Sequence, residues 1–143
     1  MEKKKILVVD DNELFRDSIA DTLDRLGYSV TQAPDGARAL DIMVKNRFDL
    51  VISDMKMPGM TGIEICKALR SNPAGRYRYL IVITAREGEE GIAEAMAAGA
   101  DDFVRKPFGV PEVVARIRNG QRTLKLERSL AARITDLEAA LKT

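Results

Sequence analysis

Short apolar runs alternate with amphipathic segments along most of the chain. Residues 6–9, 50–52 and 80–83 are apolar runs bounded by polar or turn residues, a pattern typical of buried strands in a parallel sheet. Between these runs, apolar residues recur every three or four positions, as they do along one face of a helix. The pattern therefore predicts an alternation of five strands and five helices.

The predicted elements follow one another in a regular order. The predicted strands comprise residues 5–10, 28–33, 49–53, 80–84 and 102–105, and the predicted helices comprise residues 13–26, 36–45, 62–70, 89–98 and 111–143. The second strand is short and more polar than the others, which predicts a position at an edge of the sheet. Units of this length predict a three-layer α/β sandwich with right-handed crossovers, and both common doubly wound strand orders remain open on the pattern alone.

Three acidic residues directly follow two of the predicted strands. Asp10 and Asp11 come after the first strand, and Asp54 comes after the third. The carboxyl ends of parallel strands lie at one edge of a sheet, and open α/β sheets bind their ligands at that edge. We therefore expect the three carboxylates to share one crevice.

Carboxylates gathered in this way repel one another. Two charges about 4 Å apart repel by about 4 kcal/mol at an effective dielectric constant of about 20. A set of oxygen ligands without histidine or a cysteine pair favours Mg²⁺ ahead of Ca²⁺ as the neutralising ion. The alternative is that Asp10 and Asp11 only cap the helix that follows.

Two further polar residues mark the same predicted edge. Thr84 ends the fourth strand, and Lys106 follows the fifth. Each residue alone is typical of a helix cap or a surface amine. Together with the three acids, the hydroxyl and the ammonium suit a phosphoryl group bound beside a metal ion.

The composition restricts the other functions that the chain can have. Its 143 residues predict one domain with an appendage, and its net charge of +1 leads us to expect no nucleic-acid or membrane partner through these residues. Residues 3–5, three lysines, are interpreted as a solvated approach to the first strand. We expect no membrane span and no signal peptide, and the single cysteine, Cys66, is interpreted as a core residue in a reducing, cytoplasmic compartment. The absence of histidine excludes a role as a phosphohistidine carrier.

Four segments resemble the receiver domain of two-component response regulators. They are residues 8–11, 53–60, 83–85 and 99–108, and the resemblance extends from residue 4 to about residue 120. It implies a flavodoxin-like (βα)5 sandwich with the parallel strand order 2-1-3-4-5. It also implies a signalling switch rather than an enzyme, with a histidine kinase or a phosphotransfer protein as partner.

The resemblance implies a role for each matching acid. Asp54 would accept the phosphoryl group and would ligate Mg²⁺ together with Asp11 and the backbone carbonyl of Lys56. Asp10 would hold a water molecule bound to the metal.

The resemblance extends to residues that would respond to the phosphoryl group. Lys106 and Thr84 would each contact one of its oxygens, and the peptide bond between Lys106 and Pro107 would be cis. Phe103 matches the switch aromatic, which turns inward when Thr84 moves. Many family members carry tyrosine at that position, so a switch by apolar burial is implied here.

The predicted fifth helix is longer than the domain requires. Residues 111–143 would span about 50 Å as a helix, and we expect no sheet to be left for it to cover beyond Arg122. We therefore divide the chain into a receiver domain, residues 1–121, and a helical linker, residues 122–143, that leads to an output domain. Apolar residues recur in the linker at a 4-3-4 spacing, namely Leu130, Ile134, Leu137 and Leu141.

This spacing favours a coiled-coil dimer over a solvated helix, with a stutter near residue 127. A second route to a homodimer is the surface of the fourth helix, the fifth strand and the fifth helix.

Two other functions are weighed against the switch. One is a receiver-like binding module that lacks phosphotransfer. The other is a Mg²⁺-dependent phosphatase that forms an aspartyl phosphate. Such phosphatases usually need an acid two residues after the nucleophile, where this chain has Lys56, so this alternative is disfavoured.

Overall fold

One parallel sheet between two layers of helices forms the body of the molecule. The structure is a computed structural model that describes residues 3–57, 59–71, 78–84, 89–106 and 108–142. Its strands are β1 (Lys5–Val9), β2 (Ser29–Ala33), β3 (Leu50–Asp54), β4 (Tyr79–Thr84) and β5 (Asp102–Arg105). Its helices are α1 (Glu13–Arg25), α2 (Gly36–Lys45), α3 (Gly62–Arg70), α4 (Glu89–Ala98) and α5 (Val110–Leu141).

The order of the strands is β2-β1-β3-β4-β5, and all neighbouring strands are parallel. This confirms the order that the resemblance implied and the edge position predicted for the second strand. The predicted bounds of the elements agree with the structure to within one residue, apart from the end of α5. The sequence pattern alone left two common strand orders possible, because periodicity identifies strands and helices but not which strands pair in the sheet.

Alternating side chains of the strands supply the two halves of the core. On one face, strand residues such as Ile6, Ile52 and Ile81 pack with α1 and α5. On the other face, strand residues such as Leu7 and Val51 pack with α2, α3 and α4. Central strands are therefore apolar on both faces, which explains the continuous apolar runs in the sequence.

Polar caps fix where the helices begin. The side chains of Asn12, Asp35 and Thr61 accept backbone N–H groups three residues further on, at the starts of α1, α2 and α3. Gly27 follows α1 with φ 97° and Gly99 follows α4 with φ 113°, a left-handed conformation that favours glycine. The side-chain caps at the helix starts lie at the carboxyl edge of the sheet, whereas Gly27 and Gly99 end their helices at the opposite edge.

The cysteine lies where the sequence predicts it. Cys66 is buried in α3 among apolar residues. Burial raises the pKa of its thiol to about 11, so the thiol stays protonated and unreactive at neutral pH.

Helix α5 remains in contact with the body of the molecule further along the chain than we expected. Leu124 is 2% exposed and belongs to the core cluster on the α1 face. Arg128 forms a 3.0 Å ion pair with Asp49, which precedes β3. The expectation that packing against the sheet ends near Arg122 is therefore wrong, because the helix runs past the amino-terminal ends of the strands and covers them.

The close approach of α5 to the sheet depends on a glycine. A Cβ atom at Gly120 would lie 2.5 Å from Cδ1 of Tyr79, so a larger residue would push the helix away from β4.

Beyond Ser129 the helix is exposed on all sides. Within the described part of the chain, no helix combines the length and the hydropathy needed to cross a bilayer.

Candidate functional site

Three carboxylates meet at the carboxyl edge of the sheet, as the sequence predicts. One oxygen each of Asp10, Asp11 and Asp54 lies within 4.8 Å of the other two. Asp10 is completely buried, Asp54 is 8% exposed, and Asp11 is exposed. The pocket therefore has a buried floor and a side that is open to solvent.

Strand pairing and the first turn of α1 position Asp10. Its N–H donates to the carbonyl of Ala33, which extends the pairing of β1 with β2. Its Oδ1 accepts a hydrogen bond from the N–H of Asn12 at 2.9 Å, and its backbone carbonyl accepts one from Nη1 of Arg16 at 2.8 Å. Asn12, rather than an aspartate, caps α1, so capping does not explain why two acids stand here.

Lys106 faces the carboxylates from the end of β5. Its Nζ lies 3.7 Å from Oδ2 of Asp10 and 3.8 Å from Oδ2 of Asp54. Its backbone N–H donates to the carbonyl of Thr84 at 2.8 Å, which fixes the approach of this segment to β4. The ammonium is thus placed between two acids and holds neither at hydrogen-bond distance.

Two aromatic rings form the apolar wall beside this lysine. The Nζ of Lys106 lies 4.4 Å from the centroid of the Phe15 ring, which is a cation–π contact. Phe15 packs edge to face on Phe108, with ring centroids 5.5 Å apart. We did not predict this role for either ring, although the position of Phe108 two residues after Lys106 was a usable signal.

Thr84 presents a buried hydroxyl at the end of β4. The residue is 1% exposed, and its Oγ1 has no hydrogen-bond partner among the described residues. In the pairing of β4 with β5, Val82 lies beside Phe103 and Thr84 beside Arg105, so Thr84 and Phe103 share one face of the sheet. Phe103 is half-buried, and the guanidinium carbon of Arg105 lies 5.8 Å from its ring centroid.

The surroundings of Asp54 oppose its negative charge. Burial and then the neighbouring Asp10 raise the pKa of Asp54 to about 6, although Lys106 and the N–H groups of Lys56 and Met55 act in the opposite direction. The carboxyl group is therefore held close to the point at which it loses its charge. A cation in the pocket would reverse this effect.

The pocket fits a hard divalent cation. Its ligands are carboxylate oxygens, and Oδ2 of Asp10 is buried without a hydrogen-bond partner in the described part of the chain. Lys56 is exposed at the pocket's margin, and the role of its carbonyl stays a prediction. Pro107 lies outside the described residues, so the cis peptide bond also stays a prediction.

A glycine allows the helix after β3 to approach the site. A Cβ atom at Gly62 would lie 2.8 Å from the carbonyl oxygen of Asp54. The N–H of Gly62 donates to the carbonyl of Met55 at 3.0 Å. The sequence predicts only the start of a helix at Gly62, because the contact depends on how the loop folds back.

Fold and site together define a doubly wound α/β domain with an acidic pocket at the carboxyl edge of its sheet. Residues 6–118 match the family model of the response regulator receiver domain, and the chain belongs to this family. It is therefore a receiver domain of a two-component response regulator, a signalling domain.

Curated relatives extend beyond this chain. The chain is 40% identical over 136 residues to the response regulator MprA of Mycobacterium bovis, a match that covers 93% of the chain and 58% of the relative. The response regulator MprA of Mycobacterium tuberculosis gives the same identity and the same coverage. The chain thus spans 58% of the length of these relatives.

Solved structures share the fold. The chemotaxis response regulator CheY4 of Vibrio cholerae superposes with a TM-score of 0.78 at 34% identity, covering 83% of this chain and 99% of that one. Full-length FixJ from B. japonicum superposes with a TM-score of 0.82 at 32% identity, covering 97% of this chain and 68% of that one. The second match is long enough to extend into the exposed part of α5.

Proposed function

We propose that the chain is a phosphorylation-controlled switch in which Asp54 accepts a phosphoryl group from a histidine kinase or a phosphotransfer protein. The convergence of three carboxylates with Lys106 at the carboxyl edge carries this proposal. A cluster of this kind is unfavourable without a ligand, because like charges in a partly buried site repel one another. Binding of a cation and a phosphoryl group accounts for its presence.

The proposed reaction transfers one phosphoryl group between two side chains. A carboxylate oxygen of Asp54 attacks the phosphorus of the partner's phosphohistidine, a P–O bond forms, and the P–N bond breaks with its electron pair going to the imidazole. Lys106 offsets the charge of the transferring group, and the hydroxyl of Thr84 donates to one of its oxygens. The domain itself is therefore a phosphoacceptor, with self-phosphorylation and weak self-dephosphorylation as its only reactions.

Magnesium is the cofactor that suits this pocket. We assign Asp11, Asp54 and the backbone carbonyl of Lys56 as its direct ligands and Asp10 as the acceptor for a metal-bound water. When bound, Mg²⁺ would neutralise charge on the transferring group and lower the repulsion between it and the nucleophile. The buried and unpartnered Oδ2 of Asp10 supports this assignment.

Phosphorylation would act on the rest of the domain through Thr84 and Phe103. The acyl phosphate adds about two negative charges in place of one, which attracts the Thr84 hydroxyl toward the pocket. Movement of Thr84 would leave space on the sheet face that it shares with half-buried Phe103, and the ring would turn inward. The resulting change in the α4-β5-α5 surface is the proposed output, including a contact for a homodimer.

The first test is chemical phosphorylation of the purified chain. Incubation with a small phosphodonor and Mg²⁺ should give a single phosphoryl adduct by intact mass, and Asp54→Asn should give none. Asp11→Asn should slow adduct formation at least about tenfold, because it removes a proposed metal ligand but keeps the nucleophile. Asp41→Asn, which changes an exposed carboxylate on α2, should react like the unaltered chain.

Other outcomes of this test identify the alternatives. Absence of an adduct with every donor would indicate a binding module that lacks phosphotransfer. Steady turnover of phosphomonoesters would indicate a phosphatase instead.

The exposed part of α5 is proposed as a second dimer contact. Leu130, Ile134, Leu137 and Leu141 are 54–86% exposed, and Leu126, one turn earlier, is 66% exposed. These five side chains, called the apolar stripe below, lie along one flank of the helix. A parallel second copy of the helix would cover them and would pair Arg133 with Glu138 across the seam.

The position of α1 beside the pocket makes it our proposed contact for the kinase. Leu14 is 84% exposed in its first turn, and half-buried Phe15 follows. An exposed leucine on the helix that directly follows Asp10 and Asp11 suits a partner that must bring its phosphohistidine to Asp54. We place this exchange in the cytoplasm.

A further inference from the structure

A basic cleft lies at the amino-terminal edge of the sheet, opposite the carboxylate pocket. It has a volume of about 840 Å³ and is formed between the start of β1 and one flank of α5. Its lining consists of five cations and one amide, namely Lys4, Arg118, Gln121, Arg122, Lys125 and Arg128. The chain has a net charge of only +1, so the residues outside the cleft carry a net negative charge and this cleft is a local concentration of positive charge.

Tertiary structure creates this concentration. Lys4 belongs to the lysine run before β1, which we interpreted from sequence as a solvated approach to the strand. The structure places it against α5 residues that lie more than a hundred positions later in the chain. That interpretation is incomplete, because the run contributes one wall of a cleft.

Among the described residues, Arg128 is the only cation of the cleft that forms an ion pair. Asp49 forms a 3.0 Å ion pair with Arg128, and its carboxylate also accepts the N–H of Lys5. Lys4 lowers the pKa of Asp49 through a charge interaction at longer range. Within the described ranges, Lys4, Arg118 and Lys125 have no carboxylate within 4.0 Å. The described hydrogen bond of the Arg122 guanidinium, at 3.1 Å, is to the neutral side chain of Asn119.

Arg128 has unsatisfied hydrogen-bonding capacity at this site. Its Nε is buried and has no partner among the residues that the structure describes, although its Nη2 binds Asp49. A buried guanidinium N–H without an acceptor is unfavourable. An anion in the cleft would supply acceptors to the exposed guanidinium groups of Arg118 and Arg122.

The residue types favour phosphate over other anions. Guanidinium groups form paired hydrogen bonds with phosphate oxygens, and Arg118 and Arg122 are neighbours on the helix surface. Each phosphoryl group brings more charge into a small volume than a carboxylate does. Among the residues that the structure describes, no aromatic side chain lines the cleft, so these residues offer no platform for stacked nucleobases.

We propose that this cleft binds a ligand that carries two or more linked phosphoryl groups. This chemistry is shared by inorganic polyphosphate and by the triphosphate of a nucleotide. The eight residues from Arg118 to Lys125 span about 10 Å along the helix, which suits a chain of phosphoryl groups better than a single one.

The cleft is separate from both surfaces that the proposed function uses. It lies at the edge of the sheet opposite Asp54. At about 100° per residue, its α5 residues and the apolar stripe lie on opposite flanks of the helix, about 140° apart. The cleft can therefore be tested without reference to phosphotransfer or to dimerisation.

Calorimetric titration with tripolyphosphate, in the absence of Mg²⁺, tests the site. We expect one tripolyphosphate to bind per chain. The variant Arg118→Gln, Arg122→Gln, Lys125→Gln should bind at least about a hundredfold more weakly, because three charge-assisted contacts are lost. The matched control is Arg25→Gln, Arg38→Gln, Lys67→Gln, which removes the same residue types from exposed positions on α1, α2 and α3. It should change the affinity by less than about threefold.

Other ligands distinguish the sources of the phosphate. Equal affinity for ATP and tripolyphosphate would show that the phosphate chain alone is recognised, whereas tighter binding of ATP would identify a nucleotide as the ligand. Orthophosphate should bind more weakly than either.

Two kinds of result would overturn the proposal. One is that an oligoglutamate peptide or a short DNA duplex binds as tightly as tripolyphosphate, or that the two triple variants lose affinity equally. The other is that tripolyphosphate shifts the backbone amide NMR signals around residues 10, 54 and 106 of the unaltered chain instead of those of residues 118–128. This mapping does not depend on how well any variant folds.

Discussion

A single carboxyl group, that of Asp54, links the protonation of the pocket to the stability of the fold. Its pKa is about 6 in the folded chain, above its ordinary value of 3.8, chiefly because of burial. Between these two pH values the folded protein holds a proton that the unfolded chain releases. Ionisation therefore favours the unfolded chain as the pH rises.

We predict that without Mg²⁺ the free energy of unfolding falls by about 1–2 kcal/mol relative to Asp54→Asn as the pH rises from 4 to about 6. This contribution is fully present below pH 4 and is lost above the folded pKa. Because solvent screens part of the charge of the Asp54 carboxyl group, we expect the change in the free energy of unfolding to be smaller than the full pKa shift would give. Urea unfolding of both proteins over this pH range, in EDTA, measures the difference.

The comparison with Asp54→Asn isolates this one group. Asp49 titrates with the opposite sign, since burial alone would raise its pKa but the N–H of Lys5 and the guanidinium of Arg128 together hold it below the ordinary value. That effect is common to both proteins and cancels in the difference. Saturating Mg²⁺ should reduce the difference, because the cation stabilises the ionised carboxylate. Parallel stability curves in EDTA would show that Asp54 titrates normally.

Among the elements, α5 serves two different roles along its length. Its first part packs on β4 through residues such as Ile117 and Leu124, and the ion pair of Arg128 with Asp49 ends this contact. In its later part, residues 130–142 are exposed. We therefore propose a boundary between domain and linker after Arg128 instead of the one predicted at residue 121.

We predict that Leu124→Ala lowers the free energy of unfolding by about 2–4 kcal/mol, because it leaves a cavity in the core under α5. The matched control is Leu14→Ala, since Leu14 is 84% exposed on α1 and its truncation should change stability by less than about 0.5 kcal/mol. Denaturant unfolding at low protein concentration measures both. Equal small effects would mean that α5 leaves the sheet before residue 124.

At the scale of the whole molecule, the apolar stripe is the surface that we propose binds a second copy of the chain. Five large apolar side chains on one flank of an exposed helix form a contiguous patch, which monomeric proteins rarely leave in water. Leu124 does not fit the spacing of the stripe because it faces the core, whereas Leu126 extends the stripe by one turn. The break in register near residue 127 stays a prediction.

We predict that the unphosphorylated chain dimerises through the stripe and that a chain ending at Ser129 is a monomer. This truncation keeps Leu124 and Arg128 and so leaves the contact of α5 with the sheet intact. In the full chain, Ile134→Asp with Leu137→Asp should weaken association at least about tenfold, because charges would be buried in the seam. Sedimentation equilibrium measures each mass.

A charge-matched variant controls for the added acids. Ala132→Asp with Ala139→Asp places two carboxylates on the opposite flank of the helix and should leave the dimer intact. If the full chain is a monomer at high concentration, the stripe is not a dimer contact in this chain. Dimerisation through α4-β5-α5 would survive the truncation and is distinguished by its dependence on phosphorylation.

The sequence by itself determined the elements and their order along the chain. Apolar runs and helical periodicity located each strand and helix closely, because these patterns are local. It also located the carboxylate pocket, since Asp10, Asp11 and Asp54 follow strands whose carboxyl ends must share one edge. The order of the strands came from a resemblance to known proteins and not from periodicity.

Only the tertiary structure decided which distant residues meet. Lys4 and Arg118 line one cleft, and Phe15 lies under the ammonium of Lys106, although no local pattern connects the members of either pair. How far α5 remains packed was also decided there, because Leu124 is buried by the ends of strands far away in the chain. Local sequence fixes backbone conformation within a few residues, whereas contacts of this kind depend on the packing of elements that are separated by most of the chain.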